Sequence, residues 1–156
     1  MNLTVAAVGT RMPAWVSDGV QNYSKRLPRH FQFSIREIPS AARGSGSTPA
    51  KAMSAEADAL LKAAAGADRV IALDERGSSW SSRQLASRLD GWQQEFPQVA
   101  LLIGGADGLD ERCRQRADDI WSLSPLTLPH ALVRVILAEQ LYRAWSMLQG
   151  HPYHRE

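Results

Sequence analysis

The sequence holds one cysteine, Cys113, in 156 residues. It can close no disulfide within the chain, and nothing in it points to an oxidising compartment. Long apolar runs are also missing. The longest candidate, Ala131 to Leu148, is interrupted by Arg134, Glu139, Gln140 and Arg143, well short of the roughly 20 apolar residues of a membrane helix. No basic start leads into the apolar stretch of a secretory leader, so the cytoplasm is the expected location. Charge of one sign is scarce overall: 18 basic groups face 16 acidic ones, for a net charge of +2.

Common catalytic signatures are absent too. No G-x-x-x-x-G-K-[ST] phosphate loop occurs, because Gly104 to Gly108 runs into Leu109-Asp110, and Gly9 stands alone after the first apolar run instead of opening G-x-G-x-x-G. There is no G-x-S-x-G elbow and no H-E-x-x-H, and His30, His130, His151 and His154 lack metal-ligand spacing with Cys113. Ordinary nucleotide-triphosphate, dinucleotide, serine-hydrolase and zinc chemistry are thereby excluded, and no metal is expected.

What is present is a globular composition, 44% hydrophobic and 22% charged, enough to bury a core in one domain spanning 1–156. Asn2 to Val8 reads as a buried strand, and Trp15, Val16, Val20, Tyr23 and Leu27 recur at helical spacing between Pro13 and Pro28. Phe31, Phe33 and Ile35 alternate with polar residues, which predicts a second strand ending at Ile38-Pro39. Ser40 to Pro49 is small and polar, a linker or a lid. A helix follows from Ala50 to Ala65, then a strand over Arg69 to Asp74 and a turn around Gly77. The next helix is capped by Ser81 or Ser82 and runs to about Glu95. Gln98 to Ile103 is the most continuously apolar strand, a short helix begins at Asp110, Ile120 to Ser124 is the last strand, and a long helix follows His130. This alternation predicts an α/β layer with a mostly parallel sheet covered by helices on both faces. Ligands then bind at the carboxyl ends of the strands, from which three loops leave: Asp74 onward, Gly104 to Gly108, and Ser124 to His130.

Each loop has two readings. The glycines of Gly104 to Gly108 suit close approach of backbone to a ligand, or a tight turn before the helix capped by Asp110. Ser122 to His130 (SLSPLTLPH) mixes hydroxyls, leucines and prolines beside a buried strand, so its peptide groups must bond to protein, water or a polar-edged apolar ligand such as adenine with a thioether arm. A core connection pinned by prolines fits the same composition. On the last helix Arg134 projects among apolar residues, either as a structural ion pair or toward the adjoining loop. That helix is apolar over more than half its circumference, which predicts an interface with a second copy. Lys25, Arg26, Arg29, Arg36 and Arg43 face only Glu37 between Asn22 and Arg43, and 15 of the 18 basic residues are arginine; a solvated face or an anionic partner accounts for them. The final HPYHRE either frays as chain ends do or offers Tyr153 to stack on a base, His154 to move a proton and Arg155 to hold a phosphate.

Leu73-Asp74, Ile103 to Gly108, Ser122 to His130, Leu132-Val133-Arg134-Val135, Glu139 to Trp145 and HPYHRE, taken together and in order, resemble the ribosomal large-subunit RNA pseudouridine N3-methyltransferases, small SPOUT-class enzymes. The likeness extends over the whole chain, through Val8-Gly9-Thr10, Met12-Pro13 and Glu37-Ile38-Pro39. The resemblance implies a C-terminal trefoil knot, which topology rules treat as a rare exception, a homodimer, S-adenosyl-L-methionine as methyl donor, and a pseudouridine in a 23S rRNA stem-loop of the assembled 70S ribosome as acceptor. Its cofactor residues map here to Leu73, Gly104, Leu123, Ser124, Pro125, Leu126, Thr127 and Leu128. Many relatives carry proline and often glutamate where this chain has Ala106 and Asp107. For the base or anion stabiliser, which the resemblance does not settle, the candidates are His154 and Arg155, then His130, with Arg134 behind them. The tail of one protomer is expected to complete the other's site. Docking of the RNA hairpin is expected to use Lys25, Arg26, Arg29, Arg36, Arg43 and Tyr153. Two rivals are a non-catalytic ribosome-binding factor and a SPOUT enzyme acting on tRNA.

Overall fold

The computed structural model describes residues 1–42, 44 and 46–153. Five strands and five helices follow one another in the order β1 (Asn2–Val8), α1 (Ala14–Ser24), β2 (Ser34–Ile38), α2 (Pro49–Ala63), β3 (Arg69–Ser79), α3 (Ser82–Glu95), β4 (Gln98–Ile103), α4 (Glu111–Arg116), β5 (Asp119–Ser122) and α5 (His130–Leu148). The strands form one sheet in the order β2-β1-β4-β3-β5, and every pairing between them is parallel.

Both faces of the central strands are buried, which is why β1 and β4 read as continuous apolar runs instead of alternating ones. One face carries Leu3, Val5, Ile71, Leu101 and Ile103 against Leu85, Leu89 and Trp92 of α3 and Leu137 and Leu141 of α5. The opposite face carries Ala6, Val8, Val70, Ala72 and Leu102 against Ala57 and Leu60 of α2 and Cys113 of α4. Burial pushes the Cys113 thiol up to about 11, so it is an apolar core residue. Val16 and Val20 of α1 pack on Ala138 of α5.

Helix starts follow local chemistry. Thr48 Oγ1 accepts the Lys51 N–H at 3.1 Å with Pro49 in the first turn. Ser81 and Gln84 form a reciprocal capping box at α3, and Asp110 accepts the Arg112 N–H at 2.8 Å at α4.

Two expectations need correction. Phe31 belongs to a 3-10 turn, Arg29–Phe31, and the second strand starts only at Ser34; the period-two pattern continued across a turn that buries Phe31 fully. The other concerns β3, which does not stop at Asp74. Leu73 and Ser78 both align with Trp121 of β5, so 74–77 make an excursion before pairing resumes. A methyl group on Gly77 would overlap the Ile120 carbonyl, so only glycine lets the chain return this close to β5.

Candidate active site

The carboxyl ends of β3, β4 and β5 meet around one cavity of about 630 Å3. All three loops singled out from the sequence contribute: Leu73 to Arg76 from the first, Gly104 to Leu109 from the second, and Leu123, Ser124 and Leu126 to His130 from the third. Of the proposed cofactor residues, Leu73, Gly104, Leu123, Ser124, Leu126, Thr127 and Leu128 line it, whereas Pro125 sits in the same loop outside the lining.

The glycine loop folds back on itself. Gly108 N–H donates to the Gly105 carbonyl at 3.0 Å, and a methyl group on Gly104 would stand 2.6 Å from the Gly108 carbonyl carbon and oxygen. A side chain there is incompatible with the loop.

Serine and threonine hydroxyls satisfy part of the third loop's polar groups. Ser122 Oγ donates to the Ser124 carbonyl at 3.0 Å and Ser124 Oγ accepts the Leu126 N–H at 2.9 Å. Thr127 Oγ1 donates to Glu75 Oε2 at 3.2 Å, joining the third loop to the first. Leu126 is nevertheless 71% exposed.

Among the described residues, two polar atoms on lining residues are buried with no protein partner, Trp121 Nε1 and His130 Nδ1. Orphans of this kind mark a place where a ligand or water supplies the missing bond. Trp121 was not singled out from the sequence, although it directly precedes the SLSPLTLPH run. Its ring stacks on Trp80 at 4.8 Å, and Arg88 lies 4.0 Å above Trp80.

Arg134 is 3% exposed and serves as a structural partner. Its Nη1 donates to Glu37 at 2.6 Å and its Nη2 to the Gly9 carbonyl at 2.7 Å, tying α5 to the ends of β1 and β2.

Other sequence-selected residues lie at the far end of α5. Helix α1 runs back from the cavity side, so Lys25, Arg26 and Arg29 fall at the amino end of the sheet, where the Met1 ammonium donates to the His30 carbonyl at 2.9 Å. Lys25 and Arg29 are exposed there, and Arg36 is exposed on the edge strand β2. Arg26 is more constrained, since its guanidinium lies 4.5 Å above the Tyr142 ring and 5.6 Å from the Tyr153 ring.

Tyr153 packs edge-on against Tyr142 at 4.7 Å, and its hydroxyl donates to Glu139 Oε1 at 3.2 Å. The same oxygen accepts from Arg143 at 2.6 and 2.8 Å. Burial, then the Glu139 carboxylate, pushes the Tyr153 hydroxyl up to about 12. Tyr142 stands twelve residue steps along α5 from His130, about 18 Å along the axis. One chain therefore does not bring Tyr153 to its own cavity. His154, Arg155 and Arg43, also selected from the sequence, lie outside the described residues.

A family model described as predicted SPOUT methyltransferase matches residues 1–154. A protein from Chromohalobacter salexigens named ribosomal RNA large subunit methyltransferase H is 54% identical over 155 residues, covering 99% of this chain and all of the relative. A protein of the same name from Hahella chejuensis is 50% identical over 156 residues, covering both chains completely. Among solved structures, a probable methylase family protein from Haemophilus influenzae superposes with a TM-score of 0.60 at 10% identity, over 99% of this chain and 70% of the other. A probable methyltransferase from Bordetella pertussis gives 0.55 at 18% identity, over 92% and 95%. At such identities the structures speak for the fold alone.

Proposed function

The chain belongs to the SPOUT methyltransferase family, and we propose that it methylates N3 of a pseudouridine in 23S rRNA on the assembled 70S ribosome, with S-adenosyl-L-methionine as donor. The observation that carries this reading is the convergence of three glycine-, serine- and leucine-rich loops on one cavity. Its volume lies in the range of small-molecule sites.

The residues fit the cofactor. Leu73, Ile103, Leu123, Leu128 and Val133 give apolar walls, the glycine loop admits close approach of backbone, and the orphaned Trp121 and His130 nitrogens need partners. Leu73, Gly104 and the run Leu123, Ser124, Pro125, Leu126, Thr127 and Leu128 would hold it. Bound there, the cofactor supplies an electrophilic methyl group on a sulfonium, open to direct displacement by a ring nitrogen.

The chain's own residues then have two tasks, alignment and proton removal from N3. Alignment contributes about 7–11 kcal/mol at best, so no strong nucleophile or metal is required. The proton-accepting and anion-stabilising roles fall to His154 and Arg155, next to Tyr153. His130 stands at the cavity wall as the third candidate.

Because Tyr153 docks at the far end of α5, the tail serves the cavity of a second copy. A homodimer is supported by the half-buried Leu132, Val135 and Ile136 of α5 and by Trp15, 57% exposed on the adjoining helix α1. Lys25, Arg26, Arg29, Arg36 and Arg43 would hold rRNA phosphates. A C-terminal trefoil knot is consistent with membership of this family. Ribosomal RNA as substrate assigns the enzyme to the cytoplasm; among the described residues no helix is long and apolar enough to cross a membrane.

The reading is tested by offering labelled S-adenosylmethionine with 70S ribosomes, free 50S subunits or tRNA, followed by nucleoside mass analysis. Label on a 23S pseudouridine, strongest with 70S, is expected. Label on tRNA alone would redirect the substrate, and no label together with no cofactor binding would favour a non-catalytic ribosome-binding factor.

A further inference from the structure

Arg114 borders the cavity but has no part in the chemistry above. Its side chain is only 12% exposed, unusual for a residue of a six-residue helix whose other arginines, Arg112 and Arg116, face solvent. A single nitrogen, Nη1, donates both to Asp74 Oδ2 at 3.2 Å and to the Leu109 carbonyl at 2.7 Å. Asp74 follows Leu73 at the start of the β3 excursion, and its second oxygen accepts the Arg76 N–H at 2.8 Å. Leu109 closes the glycine loop and is itself buried. The other side of the guanidinium, Nε and Nη2, meets the exposed Glu111.

We propose that Arg114 is a positioning residue for the methyl donor. From α4 it clamps the first loop to the end of the glycine loop and so fixes the distance between two walls of the cavity. The inference rests on the donor occupying that cavity. Asp74, with its side chain 9% exposed, and the Leu109 carbonyl have little solvent to replace the lost donor, so removing the guanidinium frees both walls at once. Lysine is a point charge on a flexible stem and lacks the planar fork that reaches two acceptors while also holding Glu111.

The test is calorimetric binding of S-adenosylhomocysteine to the full-length chain, with thermal unfolding and amide exchange of residues 104–109 measured alongside. Arg114→Met is expected to bind about tenfold more weakly, Arg114→Lys to fall between it and the parent, and Glu111→Gln to bind as the parent does. Asp74→Asn combined with Arg114→Met is expected to bind no more weakly than Arg114→Met alone, the coupling expected of one clamp. Exchange at 104–109 should quicken in Arg114→Met by more than its fall in Tm accounts for.

Parental affinity in Arg114→Met, or a loss that only follows a fall in Tm, would overturn the proposal. If the parent itself bound no S-adenosylhomocysteine, the donor-site reading would fail instead. In that case, slow parental exchange at 104–109 in Arg114→Met would still refute the clamp.

Discussion

The two ends of α5 are built from different materials. At its amino end, His130 and Val133 border a cavity lined by glycines and leucines together with Trp121 and charged side chains such as Asp74 and Arg114. At its carboxyl end, Glu139, Tyr142, Arg143, Tyr153 and Arg26 form a cluster of charges and rings held by side-chain bonds. At Gly104 the first arrangement depends on the absence of side-chain atoms, so adding one there is the damaging change. The second depends on named functional groups, so damage there should be graded. Under the proposal that the tail serves a second copy's cavity, their separation along one helix is the reason.

Several changes would break or sharpen that contrast. Gly104→Ala should have the largest effect, because its methyl group meets the Gly108 carbonyl at 2.6 Å. Binding of S-adenosylhomocysteine is expected to weaken about a hundredfold by calorimetry, the upper range for a steric insertion into packed structure. Glu139→Ala removes the acceptor shared by Tyr153 and Arg143. Turnover on 70S ribosomes is expected to fall about tenfold while S-adenosylhomocysteine affinity stays unchanged. Equal losses in both quantities would erase the distinction between the ends.

A smaller effect is expected from Lys25→Ala and Arg29→Ala. Each should lower the slope of log affinity against log salt for ribosomes by about one where it neutralises a phosphate, without affecting cofactor binding. The smallest is spectroscopic: Tyr153 should ionise near pH 12 instead of near 10. Its raised value means the neutral hydroxyl is favoured by folding. The stabilisation is therefore complete below the ordinary tyrosine range and is lost as pH climbs through about 12. Ultraviolet titration of the parent against Tyr153→Phe reads this directly.

Much of this arrangement is legible in the sequence. β1 and β4 are recognisable because burial on both faces makes them continuous apolar runs, and Ser81 and Asp110 announce their helices through capping chemistry. The three cavity loops follow from parallel topology and composition before any resemblance is used. Longer-range geometry is not legible. Glu75 to Ser79 reads as a turn, yet it is strand, because the partner that organises it, β5, lies more than 40 residues further on. Arg114 is not singled out by any sequence pattern, since nothing in the sequence places Asp74 beneath it. The basic residues near Lys25 read as a solvated face or a site for an anionic partner, and only the return path of α1 places them at the end of the sheet away from the cavity. Arg134 fits either of its two readings until Glu37 and the Gly9 carbonyl are seen to hold it.

Complementation within mixed dimers bears most directly on the division of the site between two chains. Gly104→Ala, with its tail intact, would be combined in equal amounts with a chain lacking residues 153–156, with its cavity intact, and methylation of 70S ribosomes measured. Each variant alone should be nearly inactive. If cavity and tail come from different chains, one site in every heterodimer is whole, and random pairing restores about a quarter of parental activity. No recovery in verified heterodimers would contradict the assignment and mean that each chain builds its site alone.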